Sequence, residues 1–293
     1  MTRTLVMGIL NVTPDSFSDG GRWVAPAAAL DHARSLLDDG ADLIDVGGES
    51  TRPGATRPSA DEELRRVLPV VEALVDLGVT VSVDTMRASV AQACLVAGAA
   101  IINDVSAGLA DPEMLGVVAA HPEADYVAMH WRAHGSVMNQ AAHYDDVVGE
   151  VTRELLARRD AALAVGIAAD RIVLDPGYGF SKTADQNWAL FAANESFLHH
   201  GHRVLVGVSR KRFLGELLAT ADAGGELRPR PTEERDAATA ALTTLCAQQG
   251  VWAVRTHEVR AQRDAIEVVA RLASEASGSL TSARQTNQKG VVQ

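Results

Sequence analysis

The chain is poor in cysteine, poor in basic residues relative to acidic ones, and without any long hydrophobic run. Cys94 and Cys246 are its only cysteines. They lie in different helical stretches without metal-type spacing, which reads as two buried thiols in a reducing cytoplasm and not as a disulfide. Lys and Arg number 27 against 38 Asp and Glu, a net charge of -11. That balance argues against a nucleic acid or an anionic membrane surface as partner. No apolar stretch reaches the length of a bilayer, and the N-terminus lacks a signal-peptide core. A soluble, cytoplasmic protein is expected. No Gly-x-Gly-x-x-Gly follows the first apolar run, which weakens a dinucleotide-binding open sheet. Nor is there a His-x-His on that run or a Cys/His cluster, so His130, His134 and His143 read as packing or hydrogen-bonding residues.

What is present is a large apolar core, with 47% hydrophobic and 22% charged residues in 293, arranged in a repeated unit. A continuous apolar run without polar alternation reads as a strand buried on both faces. Leu5 to Leu10 is such a run, and it ends on Asn11. Leu43-Ile-Asp-Val46, Val79 to Val83, Ile101-Ile102, Tyr126 to Met129, Ile172 to Leu174, Val204 to Val206 and Trp252 to Val254 follow. Between them lie helical patterns with recognisable ends. Pro26 opens the first, Ser59 and Glu62 have capping-box spacing ahead of the second, and a longer one covers about 145–165. Alternating β and α with short connections means a parallel sheet with helices outside. Eight such units in this length favour closure into a single-domain (β/α)8 TIM barrel. The Gly/Pro/Arg-rich stretch 221–231 reads as an inserted surface loop. From Ser274 onward Ser, Gln, Thr and Asn dominate, so residues 1–273 are assigned to the barrel and 274–293 to a disordered tail.

In such a barrel the C-terminal strand ends form the active-site face. Asn11, Asp84, Asn103, His130, Asp175, Lys211 and Arg255 would therefore converge on one mouth. Any one of them could be a helix cap or a turn former. Together they face a shared, partly dry space, where an unpaired carboxylate is costly and a ligand that hydrogen-bonds it is expected. Ser209-Arg-Lys-Arg212 stands at a helix N-terminus after a buried strand, a place suited to an anion. The glycines of Asp175-Pro-Gly-Tyr-Gly-Phe180 permit close approach of a ligand to the backbone.

Several of these stretches occur in order along nearly the whole chain: Met-Gly-Ile-Leu-Asn11-Val-Thr-Pro-Asp-Ser-Phe, Gly-Glu-Ser-Thr51-Arg52-Pro53-Gly, Ser-Val-Asp84-Thr, Ile-Asn103-Asp-Val, Asp175-Pro-Gly-Tyr-Gly-Phe180, Ser209-Arg-Lys211-Arg and Arg255-Thr-His257. This set resembles the dihydropteroate synthases. They join 6-hydroxymethyl-7,8-dihydropterin diphosphate to p-aminobenzoate in folate biosynthesis and are the target of sulfonamides. The resemblance implies that Asp84, Asn103, Asp175, Lys211 and Arg255 bind the pterin, with Asp84, Lys211 and Arg255 as the catalytic group. It implies Asn11, Arg255 and His257 for the diphosphate, and Asn11 as ligand to Mg2+. Thr51, Arg52, Pro53 and Phe180 would surround p-aminobenzoate, and a homodimer is implied. Two departures stand out. Trp131-Arg132-Ala133 replaces a common Met-Gln-Gly, and Arg212 stands where many members have a serine, so Arg212 or the helix N-terminus is expected to serve the aminobenzoate carboxylate. The alternatives are a methyltetrahydrofolate–corrinoid methyltransferase and a silent pterin-binding paralogue. The first would not need Ser209-Arg-Lys-Arg or Thr51-Arg52-Pro53. The second would be expected to lose its loop motifs, which are intact.

Overall fold

Eight parallel strands close on themselves in the computed structural model, in the order β1-β10-β7-β6-β5-β4-β3-β2. The structure describes residues 3–13, 25–49, 57–132, 142–222 and 224–289, the side chains of 25, 26 and 277–289 excepted. In chain order the elements are β1 (Leu5–Asn11), α1 (Ala25–Asp38), β2 (Leu43–Gly47), α2 (Ala60–Asp76), β3 (Val81–Asp84), α3 (Ala88–Val96), β4 (Ile101–Asp104) and α4 (Met114–Ala119). Then come β5 (Asp125–Met129), α5 (Val147–Ala164), β6 (Ile172–Asp175), α6 (Ala184–Ala192), α7 (Asn194–Leu198), β7 (Arg203–Val206) and α8 (Arg212–Leu217). A small hairpin, β8 (Thr220–Ala221) and β9 (Leu227–Arg228), precedes α9 (Asp236–Gln249), β10 (Ala253–Thr256) and α10 (Arg260–Lys289). This is the expected (β/α)8 barrel.

Two separate apolar sets explain why the strands are apolar on both faces. Val6, Leu10, Ile44, Val46, Val81, Val83, Ile102, Tyr126, Ile172, Leu174, Val204, Val206 and Val254 belong to the layer between barrel and helices. The alternate residues Met7, Leu43, Ile101, Val127, Val173, Leu205 and Ala253 form a second cluster that plugs the barrel interior. Burying a side chain of this kind contributes about 1.5–3 kcal/mol. The helices offer matching stripes: Val67, Val70, Val71 and Leu74 of α2 are fully buried, and Ser59 accepts the Glu62 N–H as its cap. Cys94 and Cys246 are both buried and free.

Two segments depart from expectation. The stretch read as an irregular surface loop contains the β8–β9 hairpin, whose turn is held by Asp222 Oδ1 accepting the Gly224 and Glu226 N–H groups. The final helix does not end near Ser274 but continues to Lys289. Residues 271–276 are all exposed, so no packing stops it there. Once a helix is nucleated, each added residue costs little, and Ala, Gln and Arg propagate it well.

Candidate active site

A two-residue step carries each strand from the interior plug to the mouth, because side chains alternate across a strand. Two positions beyond Leu43 stands Asp45, beyond Ser82 Asp84, beyond Ile101 Asn103, beyond Val173 Asp175 and beyond Ala253 Arg255. On β1 the step from Met7 passes Ile9 to reach Asn11. The strand register sets Asn11 beside Gly47, Gly47 beside Asp84, and Asp84 beside Asn103. A Cβ on Gly47 would lie 3.5 Å from the Asp84 Cβ and 3.7 Å from Asn11 Oδ1, so the two polar side chains share the space that glycine leaves.

Arg255 ties this row to the eighth strand. Its Nε donates to Asp45 Oδ2 at 2.6 Å and its Nη2 to Asp84 Oδ2 at 2.8 Å. Asp45 is wholly buried and also accepts from Ser82 Oγ (2.6 Å) and Asn103 Nδ2 (3.0 Å). One carboxylate thus orients both Asn103 and Arg255. Asp45 was not among the residues singled out from sequence, and its one signal was a carboxylate inside an apolar strand. Burial holds Asp84 well above the usual carboxylate range, at about 7. Arg255 opposes this, while Asp45, Glu63 and Glu49 add to it.

Asp175 faces the same space and accepts the Gly177 N–H at 2.8 Å. Burial raises it to about 6, opposed by that bond and by Lys211, Arg255 and Lys182. Lys211 is lowered to about 8, by burial first and then by Arg255. Its Nζ sits 4.0 Å from the centre of the half-buried Phe180 ring. A Cβ on Gly179, where φ is +77°, would lie 2.7 Å from Lys211 Cδ, so this glycine is what lets the lysine stem lie against the turn.

The run Ser209-Arg-Lys-Arg212 divides its work among four residues. Ser209 Oγ lies 3.0 Å from His257 Nδ1 and accepts the His257 N–H at 3.2 Å, which places that histidine at the end of β10. Arg210 has φ +58° and is locked away by a bidentate pair with Asp236. Lys211 enters the mouth. Arg212 is exposed, with its Nε donating to Glu216 one turn on at 2.6 Å. His130 is hydrogen-bonded through both ring nitrogens, to Glu154 and Lys182, the role expected of it. Asp104, next to Asn103, faces away and binds Ser106, Gly108 and Tyr126, which makes it structural.

Thr51, Arg52 and Pro53 lie outside the described residues. The ends of that connection are firmly held: Arg57 donates to Glu49 at 2.5 Å, and Arg87 binds Glu49, the Pro58 carbonyl and the fully buried Glu63.

Comparison with known proteins shows the family. Residues 7–257 match the model of the pterin-binding enzyme family. The chain is 49% identical over 265 residues to the dihydropteroate synthase of Mycobacterium leprae, covering 90% of this chain and 92% of that one. This chain belongs to the dihydropteroate synthase family. Solved structures of the family superimpose closely. The Xanthomonas albilineans enzyme in complex with 7,8-dihydropteroate has a TM-score of 0.79 at 43% identity, over 92% of this chain and 94% of that chain. The Yersinia pestis enzyme with a sulfonamide drug complex has a TM-score of 0.84 at 39% identity, over 93% and 95%. Of the synthase positions expected from sequence and described here, Asn11, Asp84, Asn103, Asp175, Lys211 and Arg255 meet at the mouth. Phe180 and His257 stand beside them, and Arg212 alone turns away.

Proposed function

We propose that this protein is a transferase that condenses 6-hydroxymethyl-7,8-dihydropterin diphosphate with p-aminobenzoate, giving 7,8-dihydropteroate and diphosphate. The observation that carries the reading is the meeting of Asp175, Lys211, Asp84 and Arg255 in one buried mouth. A pterin edge presents an amino group, a ring N–H and a carbonyl side by side. Asp175 accepts from the first two and Lys211 donates to the third, while Asn103 offers an amide oriented by Asp45. Arg255 lies between two carboxylates, which suits it to move between holding the ring and meeting the leaving group.

The reaction needs little acid–base chemistry. The C–O bond to diphosphate breaks with its electron pair on the leaving oxygen, the amine lone pair forms the new C–N bond, and the proton that nitrogen then sheds passes to the released diphosphate. Arg255, His257 and Asn11 stabilise charge developing on the diphosphate, and Asp84 is the counter-ion to positive charge left on the pterin methylene. Proximity of the two bound substrates supplies much of the rate. Mg2+ bound with the diphosphate would add charge neutralisation there. Among the described residues no three His, Cys, Asp or Glu cluster as ligands. One neutral oxygen from Asn11, completed by phosphate and water, fits the habit of magnesium. We assign p-aminobenzoate to Phe180 with Thr51, Arg52 and Pro53; Arg212 would have to leave Glu216 to reach its carboxylate.

No helix among the described residues is long and apolar enough to cross a membrane, and two buried free thiols support a cytoplasmic location. Leu245 of α9 and Val268 and Leu272 of α10 are exposed on two helices that pack together, and covering them would be in keeping with a homodimer. The deciding experiment is turnover with both substrates. Formation of dihydropteroate with release of diphosphate is expected, and its absence in folded protein would reject the reading.

A further inference from the structure

The turn after β6 is strained backbone that carries two groups of the mouth. Gly177 and Gly179 have φ of +70° and +77°, and Ser181, which does have a Cβ, has φ +49°. A non-glycine residue in this left-handed region persists only where its surroundings over-determine it. The turn begins at Asp175, whose carboxylate accepts the Gly177 N–H, so its shape sets where that carboxylate points.

One side chain closes the turn and has no part in the reaction as described above. Lys182 folds back so that its Nζ donates to the Gly177 carbonyl at 2.9 Å and the Phe180 carbonyl at 3.1 Å, and it lies 3.1 Å from His130 Nδ1. These are three acceptors for the three donors of an ammonium group. His130, 1% exposed at the end of β5, faces Glu154 Oε2 with Nε2 at 2.9 Å. The tautomer with hydrogen on Nε2 and a bare Nδ1 serves both neighbours. Glu154 on α5 is held in turn by Arg132, whose guanidinium stacks 3.8 Å over the Tyr144 ring. Gly177 links this chain to the substrate carboxylate, since its N–H goes to Asp175 while its carbonyl takes Lys182. It also packs so tightly that an added Cβ would lie against the His130 carbonyl oxygen.

We propose that Lys182 is a positioning residue for pterin recognition: it pins the 175–182 turn from inside through the Gly177 carbonyl and thereby aims Asp175, with His130 and Glu154 holding its ammonium in place. The proposal rests on the assignment of the pterin to Asp175 made above. It also gives Arg132 a task, as the outer end of the same chain in place of a substrate contact.

Lys182→Met keeps the aliphatic stem and removes the three hydrogen bonds. Titration with 6-hydroxymethylpterin should show affinity falling about tenfold or more, while KM for p-aminobenzoate stays within about twofold. A role in folding alone would lower the melting temperature and leave pterin affinity at 25 °C untouched. His130→Gln sets its amide nitrogen toward Glu154 where Nε2 stood but leaves the Nδ1 position facing Lys182 empty, and should lose about threefold in pterin affinity with the same selectivity. Folded Lys182→Met with wild-type pterin affinity, or an equal loss for both substrates, overturns the proposal. If Lys182→Met does not fold, unchanged pterin affinity in folded His130→Gln overturns it instead. Wild-type protein that fails to bind the pterin would reject the underlying functional reading.

Discussion

Asp45 has no ordinary surface role, since it is fully buried and meets three donors, Ser82, Asn103 and Arg255. A buried carboxylate is tolerated when paired and hydrogen-bonded, and here the partners that satisfy it are thereby aimed at the mouth. Among the described residues the Asp175 carboxylate accepts only the Gly177 N–H, which leaves capacity for a ligand. Replacing Asp175 by Asn or Lys211 by Met should weaken pterin binding severely without unfolding the chain. Leaving a buried partner unmatched costs about 1–3 kcal/mol, more if charged. Near-normal affinity by calorimetry in either variant would remove that residue from the site. The same carboxylate predicts a pH dependence. Burial raises Asp175 to about 6, and on the proposed reading its ionised form is the one that would accept two donors from the pterin. Affinity should therefore fall as pH drops through about 6 and level off above it. The acidic limb should shift in Asp175→Asn, and an unaltered limb would exclude Asp175 as its source.

At the level of elements, Gly47 and Gly48 are packing residues. Gly47 lies within β2, and a Cβ on Gly48 would come 2.6 Å from Val67 Cγ2 and 3.2 Å from the Glu63 carbonyl oxygen. The close approach of β2 to α2 requires glycine here, because the obstacle includes helix backbone. Gly48→Ala should lower stability by about 1–3 kcal/mol through overpacking, read as a fall in the denaturation midpoint. An unchanged midpoint would mean that the two elements can part freely. The far end of α10 behaves oppositely. Residues 271–276 are exposed throughout, so the helix has no burial to lose there. Deleting residues 278–293 should leave the melting temperature and turnover essentially unchanged. A marked drop in either would show that the segment docks.

On the scale of the whole molecule, barrel closure brings β1 against β10 and so sets Asn11 in the same mouth as Arg255 and His257, from opposite ends of the chain. Diphosphate, touching all three, would bear the ordering cost, and a second ligand would meet a formed pocket. A sulfonamide imitating p-aminobenzoate should therefore bind measurably only when magnesium diphosphate is present. Calorimetric titration with and without it is the check, and equal affinities would show the pocket to be preformed. From sequence alone, the strand–helix alternation, the closed barrel and the polar residues at the strand ends were legible. Runs apolar on both faces are a local pattern, and most end visibly on a polar residue: Asn11, Asp84, Asn103, His130, Asp175 or Arg255. What only the tertiary structure decided is which of those residues answer to one another. That Asp45 holds Arg255, that Arg212 turns to Glu216, and that Lys182 reaches His130 depend on register and on which way a helix start faces. The Lys182–His130 pair is separated by 52 residues in sequence, and no periodicity encodes such a contact. It exists because β5 and β6 are neighbours in the sheet, which sets the Lys182 ammonium beside His130 and the carbonyls of its own turn.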